Sequence, residues 1–156
     1  MSSPQPAFAT DPATAAYYEL LSADLDDWYT GEGRFAGSNR PGWHAEVEQL
    51  VALVTRLSPA RTLDLACGTG FLTRHLRGFV VGLDQSPSMV AITQSRLPEG
   101  LALVGDALRP GVADKSFDRV FTGHFYGHLP VHERDQFLAQ ARRIAGEPER
   151  WTAAGA

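Results

Sequence analysis

The stretch LDLACGTGFL, residues 63–72, combines an acidic residue with a glycine turn and is the part of the chain best suited to chemistry. Gly68 and Gly70 have no side chain to hold a ligand away from the backbone, and they tolerate backbone angles that other residues avoid. If a strand ends at Leu65, the turn presents free N–H groups at the carboxyl edge of a sheet, where ligands bind. The turn alone leaves open whether the ligand is a phosphate or another group.

Two further acids follow short apolar runs and are expected at the same edge. Asp84 comes 20 residues after Asp64, about the offset at which a carboxylate accepts hydrogen bonds from ribose hydroxyls. Asp106 follows the next apolar run and is placed to accept a hydrogen bond from an adenine amino group. Three acids near one turn favour a nucleoside with a cationic tail. A nicotinamide-dependent oxidoreductase is the weaker alternative, because Asp64 would repel a pyrophosphate and Thr73 replaces the third glycine of G-x-G-x-x-G.

The elements that must position these acids follow from the hydrophobic pattern. Short apolar runs predict four strands, at residues 62–65, 79–83, 101–104 and 117–122. Between and after them we expect a helix from Gly70 to about Leu76, a second with Ser86 as N-cap and Pro87 at its first position, and a third from about Val131 to Ala145. Strands that alternate with helices are typical of a parallel sheet.

The first part of the chain is predicted to be helical. Residues 1–10 look disordered, and Asp11 before Pro12 indicates the start of a helix that runs on to Trp28. Apolar residues at spacings of three and four predict another helix from Trp43 to Leu57. We therefore divide the chain into an N-terminal helical cap (1–58), a ligand-binding core (59–146) and an irregular tail (147–156).

Composition narrows the class of protein. The 156 residues, 44% of them hydrophobic and 21% charged, suit one globular domain. A net charge of −4 with no basic run argues against nucleic acid as a partner. Cys67 is the single cysteine, and we interpret it as a small turn residue. We expect a cytoplasmic protein without a membrane segment, because the chain has no signal sequence and no apolar run near the ~20 residues that a membrane helix needs.

Four segments in order resemble the class I S-adenosylmethionine-dependent methyltransferases, in particular the small-molecule enzymes of the quinone-biosynthesis type. They are LDLACGTG, VVGLDQSPSMV, LVGDAL and FDRVFTGHFYGHL, within residues 61–145. The resemblance implies a Rossmann-like parallel sheet with helices on both faces, S-adenosyl-L-methionine as cofactor, and methyl transfer to a small-molecule acceptor.

The resemblance also implies roles for single residues. Asp64, Ala66 and Gly68, with Gly70 in the same turn, would line the methionine portion, Asp84 would hold the ribose, Gln85 and Met89 would flank the adenine, and Asp106 with Ala107 would meet its amino group. His124 would lie near the sulfonium and is a candidate general base, although donor and acceptor held in line need no base. His124, His128 and His132 recur every four residues, but Gly127 and Pro130 break the helix that a shared metal site would need. The aromatic set Tyr17, Tyr18, Trp28 and Tyr29 is expected to pack over the sheet, or to supply a tyrosine that closes over the cofactor.

The end of the chain departs from the family pattern, which continues with a fifth strand, a helix and a hairpin. Here the sequence reads GEPERWTAAGA after Ala145, and Pro148 would interrupt a central strand. We expect a truncated methyltransferase that lacks the last strands of the fold, through a reading-frame change near Glu147. Strand four would then be an open edge through which the chain forms a homo-oligomer. The alternative is an inert S-adenosylmethionine-binding module, or one completed by a partner chain.

Overall fold

The computed structural model describes residues 12–146, which form five α-helices and four β-strands. The elements are α1 (Pro12–Leu21), α2 (Leu25–Thr30), α3 (Trp43–Arg56), β1 (Thr62–Leu65), β2 (Val80–Asp84), α4 (Pro87–Arg96), β3 (Leu101–Val104), β4 (Arg119–Phe121) and α5 (Val131–Ala145). Short 3-10 turns occur at Gly33–Phe35, Thr73–His75 and Tyr126–His128. Within the described range, no helix combines the length and the apolar character that crossing a membrane requires.

The four strands form one parallel sheet in the order β3-β2-β1-β4. Asp64 in β1 lies opposite Gly82 in β2 and Phe121 in β4, so β1 is flanked on both sides. All four strands therefore end at the same edge, and the turns that follow them meet there. The predicted class, a Rossmann-like parallel sheet with helices, is confirmed.

Helices cover both faces of the sheet because its strands alternate between two hydrophobic clusters. Leu63 and Val81 pack with Phe137 and Ile144, which both lie on α5. Val80, one residue earlier in β2, packs instead with Val54 of α3. Neighbouring strand residues point to opposite faces, so a strand that helices cover on both sides is buried at every position. That is why β1 and β2 are buried along their whole length.

The predicted strands and the helices α3, α4 and α5 are confirmed. The boundaries of β1, β3 and α5 match the prediction, and the others differ from it by up to two residues. The helix expected from Pro12 to Trp28 is interrupted, because the Ser22 hydroxyl donates to the Glu19 carbonyl at 2.8 Å and takes the place of a helical hydrogen bond. The Asp11 cap, the disorder predicted for residues 1–10 and the tail at 147–156 lie outside the described residues.

The helix predicted from Gly70 to about Leu76 is wrong. Only the 3-10 turn Thr73–His75 forms there. The Thr73 hydroxyl donates to Asp64 at 2.6 Å, which holds the turn against β1, and the backbone is already extended at Leu76 with ψ 138°. The segment therefore returns to the sheet before an α-helix can develop.

Candidate functional site

The glycine turn after β1 has a positive φ angle at three alternate positions. Ala66, Gly68 and Gly70 have φ angles of 63°, 58° and 76°, a region that costs about 1 to 2 kcal/mol for a residue with a Cβ atom. The strained conformation of Ala66 turns the chain sharply where it leaves β1. The turn is fixed to the neighbouring elements, since the Cys67 amide donates to Leu83 and the Thr93 hydroxyl donates to the Gly68 carbonyl at 2.8 Å.

Asp84, at the end of β2, accepts a backbone hydrogen bond at each of its two carboxylate oxygens, and one of these bonds holds the glycine turn. Oδ2 accepts from the Gly68 amide and Oδ1 from the Ser86 amide, each at 2.9 Å. The side chain is buried, and burial raises the pKa of Asp84 against these hydrogen bonds. Each oxygen has a second lone pair for a ligand. Asp84 thus shapes the turn and still lines the space beside it.

Asp64 is the buried acid of the site. It is 2% exposed in the middle of the sheet, and its Oδ2 accepts the Thr73 hydroxyl at 2.6 Å. Its Oδ1 is buried and has no hydrogen-bond partner, which is unfavourable for a charged oxygen. Burial, with the nearby charge of Asp84, raises the pKa of Asp64 to about 7. The site therefore contains a buried acceptor that no described residue satisfies.

A cavity of about 260 Å³ opens at this edge of the sheet. Eight residues predicted for the site line it: Asp64, Ala66, Gly68, Asp84, Gln85, Met89, Ala107 and His124. Like Asp64, Gln85 has a buried oxygen, Oε1, that accepts no hydrogen bond from a described residue. Gly70 and Asp106 are not among the lining residues. Gly70 faces Thr93 instead, and Asp106 accepts from the Leu108 amide at 2.8 Å and contacts Arg109 at 3.5 Å.

The helices α1 and α2 form one wall of the cavity. Their contribution is mostly aromatic and consists of Tyr17, Tyr18, Leu21, Leu25, Trp28 and Tyr29. Glu19 fastens α1 to the start of α4, because its carboxylate accepts hydrogen bonds from the hydroxyls of Ser86 and Ser88. These bonds lower the pKa of Glu19. Sequence reasoning missed this contact, since the two partners are 67 and 69 residues away.

A second long-range contact fastens α2. Asp26 pairs with Arg96 at the end of α4, and Asp26 also accepts the Thr69 hydroxyl at 2.6 Å. Arg96 in turn donates to the Thr69 carbonyl at 2.9 Å. Although burial alone would raise it, the pKa of Asp26 is lowered by these partners. The acidic residues of the N-terminal helices thus hold the wall on the glycine turn.

His124 stands beside this wall, directly after β4. Its φ of 57° is a left-handed conformation that histidine seldom adopts, and such strain concentrates at functional sites. Its Nδ1 lies 3.2 Å from the Tyr29 hydroxyl oxygen, and its ring also contacts Trp28 and Trp43 edge-on or tilted. Partial burial lowers the pKa of His124.

The other two histidines of the predicted series lie apart. His128 lines the cavity as well, whereas His132 contacts Glu133 outside it. Within residues 12–146 no metal-binding cluster occurs.

Comparison with known proteins identifies a family match over more than half of the chain. Residues 63–146 match the family described as "Methyltransferase domain". The chain is 33% identical over 102 residues to demethylmenaquinone methyltransferase of Thermotoga maritima. It is 46% identical over 103 residues to dTDP-3-amino-3,6-dideoxy-α-D-glucopyranose N,N-dimethyltransferase of Streptomyces fradiae. These matches cover 62% and 63% of the chain but 44% and 39% of the two enzymes, so the chain spans about two-fifths of their length.

The fold also matches solved structures. One is a complex of DhpI with SAM and HEP, with a TM-score of 0.64, 25% identity, and coverage of 93% of this chain and 64% of the other.

Proposed function

Because the chain belongs to the methyltransferase domain family of the class I, S-adenosylmethionine-dependent type, we propose that its cavity binds S-adenosyl-L-methionine for methyl transfer to a small molecule. The observation that carries the proposal is the Asp64 carboxylate, which lines the cavity, is 2% exposed and has one oxygen without a hydrogen-bond partner. A cationic group of a ligand would satisfy that oxygen and stabilise its charge.

The unpaired atoms of the cavity fit this cofactor better than a dinucleotide. Asp64 Oδ1 and Gln85 Oε1 are acceptors without a partner among the described residues, so they favour a ligand that brings donors. S-adenosyl-L-methionine has an ammonium group, ribose hydroxyls and an adenine amino group, all of which donate. A pyrophosphate brings acceptors and negative charge to a site whose acids are Asp64 and Asp84, and it would be repelled.

We assign the binding roles as follows. Asp64, Ala66 and Gly68 hold the amino-acid end, and Asp84 accepts from the ribose with the lone pairs that Gly68 and Ser86 leave free. Gln85, Met89 and Ala107 surround the adenine. When bound, the cofactor supplies a methyl group on a positively charged sulfur. The aromatic wall of α1 and α2 excludes water from that centre and presents ring faces that attract a cation.

The acceptor is proposed to be a small molecule. The two curated relatives are named for a demethylmenaquinone and for an amino sugar nucleotide, and the cavity beside His124 is lined by aromatic rings, including Phe35, Phe121 and Phe125. A flat or apolar acceptor would pack against these rings. The net charge of −4 supports the proposal that nucleic acid is not a partner.

Calorimetry with S-adenosylmethionine, S-adenosylhomocysteine and NAD tests the cofactor. We expect the first two to bind and NAD not to bind; binding of NAD alone would overturn the proposal. Asp84→Asn should weaken S-adenosylmethionine binding by about 1 to 3 kcal/mol, the usual cost of unpaired hydroxyls. Asp106→Asn is the matched comparison. The Asp106 carboxylate is hydrogen-bonded to Leu108 and contacts Arg109, so we expect a smaller loss of affinity than for Asp84→Asn. An equal loss would support a contact between Asp106 and the adenine amino group.

Methyl transfer is tested by incubating the chain with isotopically labelled cofactor and a panel of quinols, phenols and amino sugars, with mass spectrometry of the products. Label on one of these acceptors supports the proposed activity. Cofactor binding without transfer to any of them would support a binding module instead.

A further inference from the structure

The hydrogen bond between Tyr29 and His124 decides which nitrogen of the histidine is free for a ligand. The Tyr29 hydroxyl oxygen lies 3.2 Å from His124 Nδ1, and both side chains line the cavity. Tyr29 is 8% exposed and its ring is stacked on Phe71, with centroids 4.2 Å apart. Its hydroxyl oxygen is therefore held close to His124 Nδ1.

Only one partner is available for the hydroxyl proton. Burial, with the charges of Asp64 and Asp26, raises the pKa of Tyr29, so the hydroxyl stays protonated. Among the described residues its one hydrogen-bond partner is His124 Nδ1, and a buried donor normally has an acceptor. A ring nitrogen that accepts a hydrogen bond is unprotonated, and a neutral imidazole then has its proton on the other nitrogen.

We propose that Tyr29 holds His124 in the Nε2–H tautomer, so that His124 offers a hydrogen-bond donor, not a base, to the molecule that accepts the methyl group. The inference rests on the proposed function for the identity of that molecule. The ring is fixed further by the edge and tilted contacts with Trp28 and Trp43. His124 remains partly exposed, and Nε2 is the nitrogen that no described residue engages.

This tautomer selects a class of acceptor. The acceptor carries an oxygen that receives the Nε2–H hydrogen bond, and it uses a lone pair that needs no removal of a proton by His124. That lone pair forms the new bond to the methyl carbon, the sulfur keeps the electron pair of the broken bond, and any proton then released goes to water. Enolate-like or phenolate oxygens and amines beside a hydroxyl or carbonyl fit this description. Tyr29 is a positioning residue, because it acts through His124.

The test reads the tautomer directly, by two-bond ¹H–¹⁵N correlation spectra of the protein labelled with ¹⁵N-histidine at pH 8. The chain has five histidines, and the signal missing from His124→Gln identifies His124. We expect Nε2–H in the wild type. In Tyr29→Phe the ratio of the two tautomers should fall about three- to tenfold, the worth of one ordinary hydrogen bond. Tyr126→Phe, a matched change at a ring that contacts Phe137, should leave the His124 tautomer unchanged.

A wild-type His124 in the Nδ1–H form, or a tautomer ratio that Tyr29→Phe leaves unchanged, would overturn the proposal. Should Tyr29→Phe not fold, the wild-type tautomer decides. Turnover gives a second test of the same proposal. Because glutamine keeps a hydrogen-bond donor but has no basic nitrogen, His124→Gln should retain at least a third of the wild-type kcat. A loss of kcat equal to that of His124→Ala would show that His124 acts as a base. If the wild type methylates no acceptor, the proposed function fails, and the tautomer measurement still stands.

Discussion

Replacement of Asp64 by asparagine should stabilise the unliganded protein while it weakens cofactor binding. Burial raises the pKa of the Asp64 carboxyl to about 7, from 3.8. A carboxyl that binds its proton more tightly in the folded state lowers the free energy of unfolding as pH rises. The loss begins near the unfolded pKa, about pH 4, and is complete above about pH 7. Asparagine is neutral and keeps the shape of the side chain, so Asp64→Asn avoids this loss.

The size of the effect follows from the pKa. A difference of about three units corresponds to about 4 kcal/mol above pH 7. The asparagine oxygen can still accept the Thr73 hydroxyl, but its amide N–H groups are buried without partners, at a cost of about 1 to 3 kcal/mol. The net gain at pH 8 should therefore be about 1 to 3 kcal/mol. The same change removes the charge that a ligand's ammonium would meet, and S-adenosylmethionine affinity should fall by about 1.5 to 3 kcal/mol.

Urea denaturation at pH 4, 6 and 8 and calorimetry with S-adenosylmethionine check both halves of this prediction. The advantage of Asp64→Asn in the free energy of unfolding should grow with pH, and it should be absent at pH 4. Asp135→Asn is the control, because Asp135 is exposed on α5, and it should change neither quantity. A variant that is less stable than the wild type at pH 8, or that binds the cofactor unchanged, would refute the role given to the buried charge.

Three further predictions concern the elements that hold the site, all measured by urea denaturation. Ala66→Gly should raise the free energy of unfolding by up to about 1 kcal/mol, because glycine relieves the strain at φ 63°; a loss would contradict that account. Ser86→Ala should lower it by about 1 kcal/mol, since the Ser86 hydroxyl caps α4 by accepting from the Met89 amide. Asp26→Asn should lower it by roughly 1 kcal/mol at pH 7, as a partly exposed pair with Arg96, and the difference should close below about pH 4, because the pKa of Asp26 is lowered in the folded protein.

Local patterns predicted the framework of the site well. The strands of the sheet are short runs of mostly apolar residues; β2 ends at Asp84 and Gly105 follows β3. Ser86 before Pro87 is a strong local signal for the start of α4. Such signals depend on a few neighbouring residues. They placed Asp64 within β1 and Asp84 at the end of β2. The register of these two neighbouring strands brings both residues to one cavity.

The contacts that the sequence did not reveal mostly join residues that are far apart in the chain. Glu19 reaches Ser86 and Ser88 across 67 and 69 residues, and nothing in the spacing marks that pair. Asp106 accepts from the amide two residues ahead, and its contact with adenine stays a prediction. This local turn is common for aspartate, so a local signal was present, although the resemblance pointed to a ligand.

The electrostatics of the cavity suggest why donor and product would be treated differently. Asp64 and Asp84 line the cavity, and among the described cations Arg96 is paired with Asp26 on the wall. When both carboxyls are ionised they make the field at the cavity negative, and burial of Asp64 weakens screening by water. On the proposed function, both the cofactor and its product carry the ammonium that Asp64 would bind, but only the cofactor has a charged sulfur. The acids and the ring faces of Trp28 and Tyr29 should then favour the donor over the spent product, which eases release after transfer.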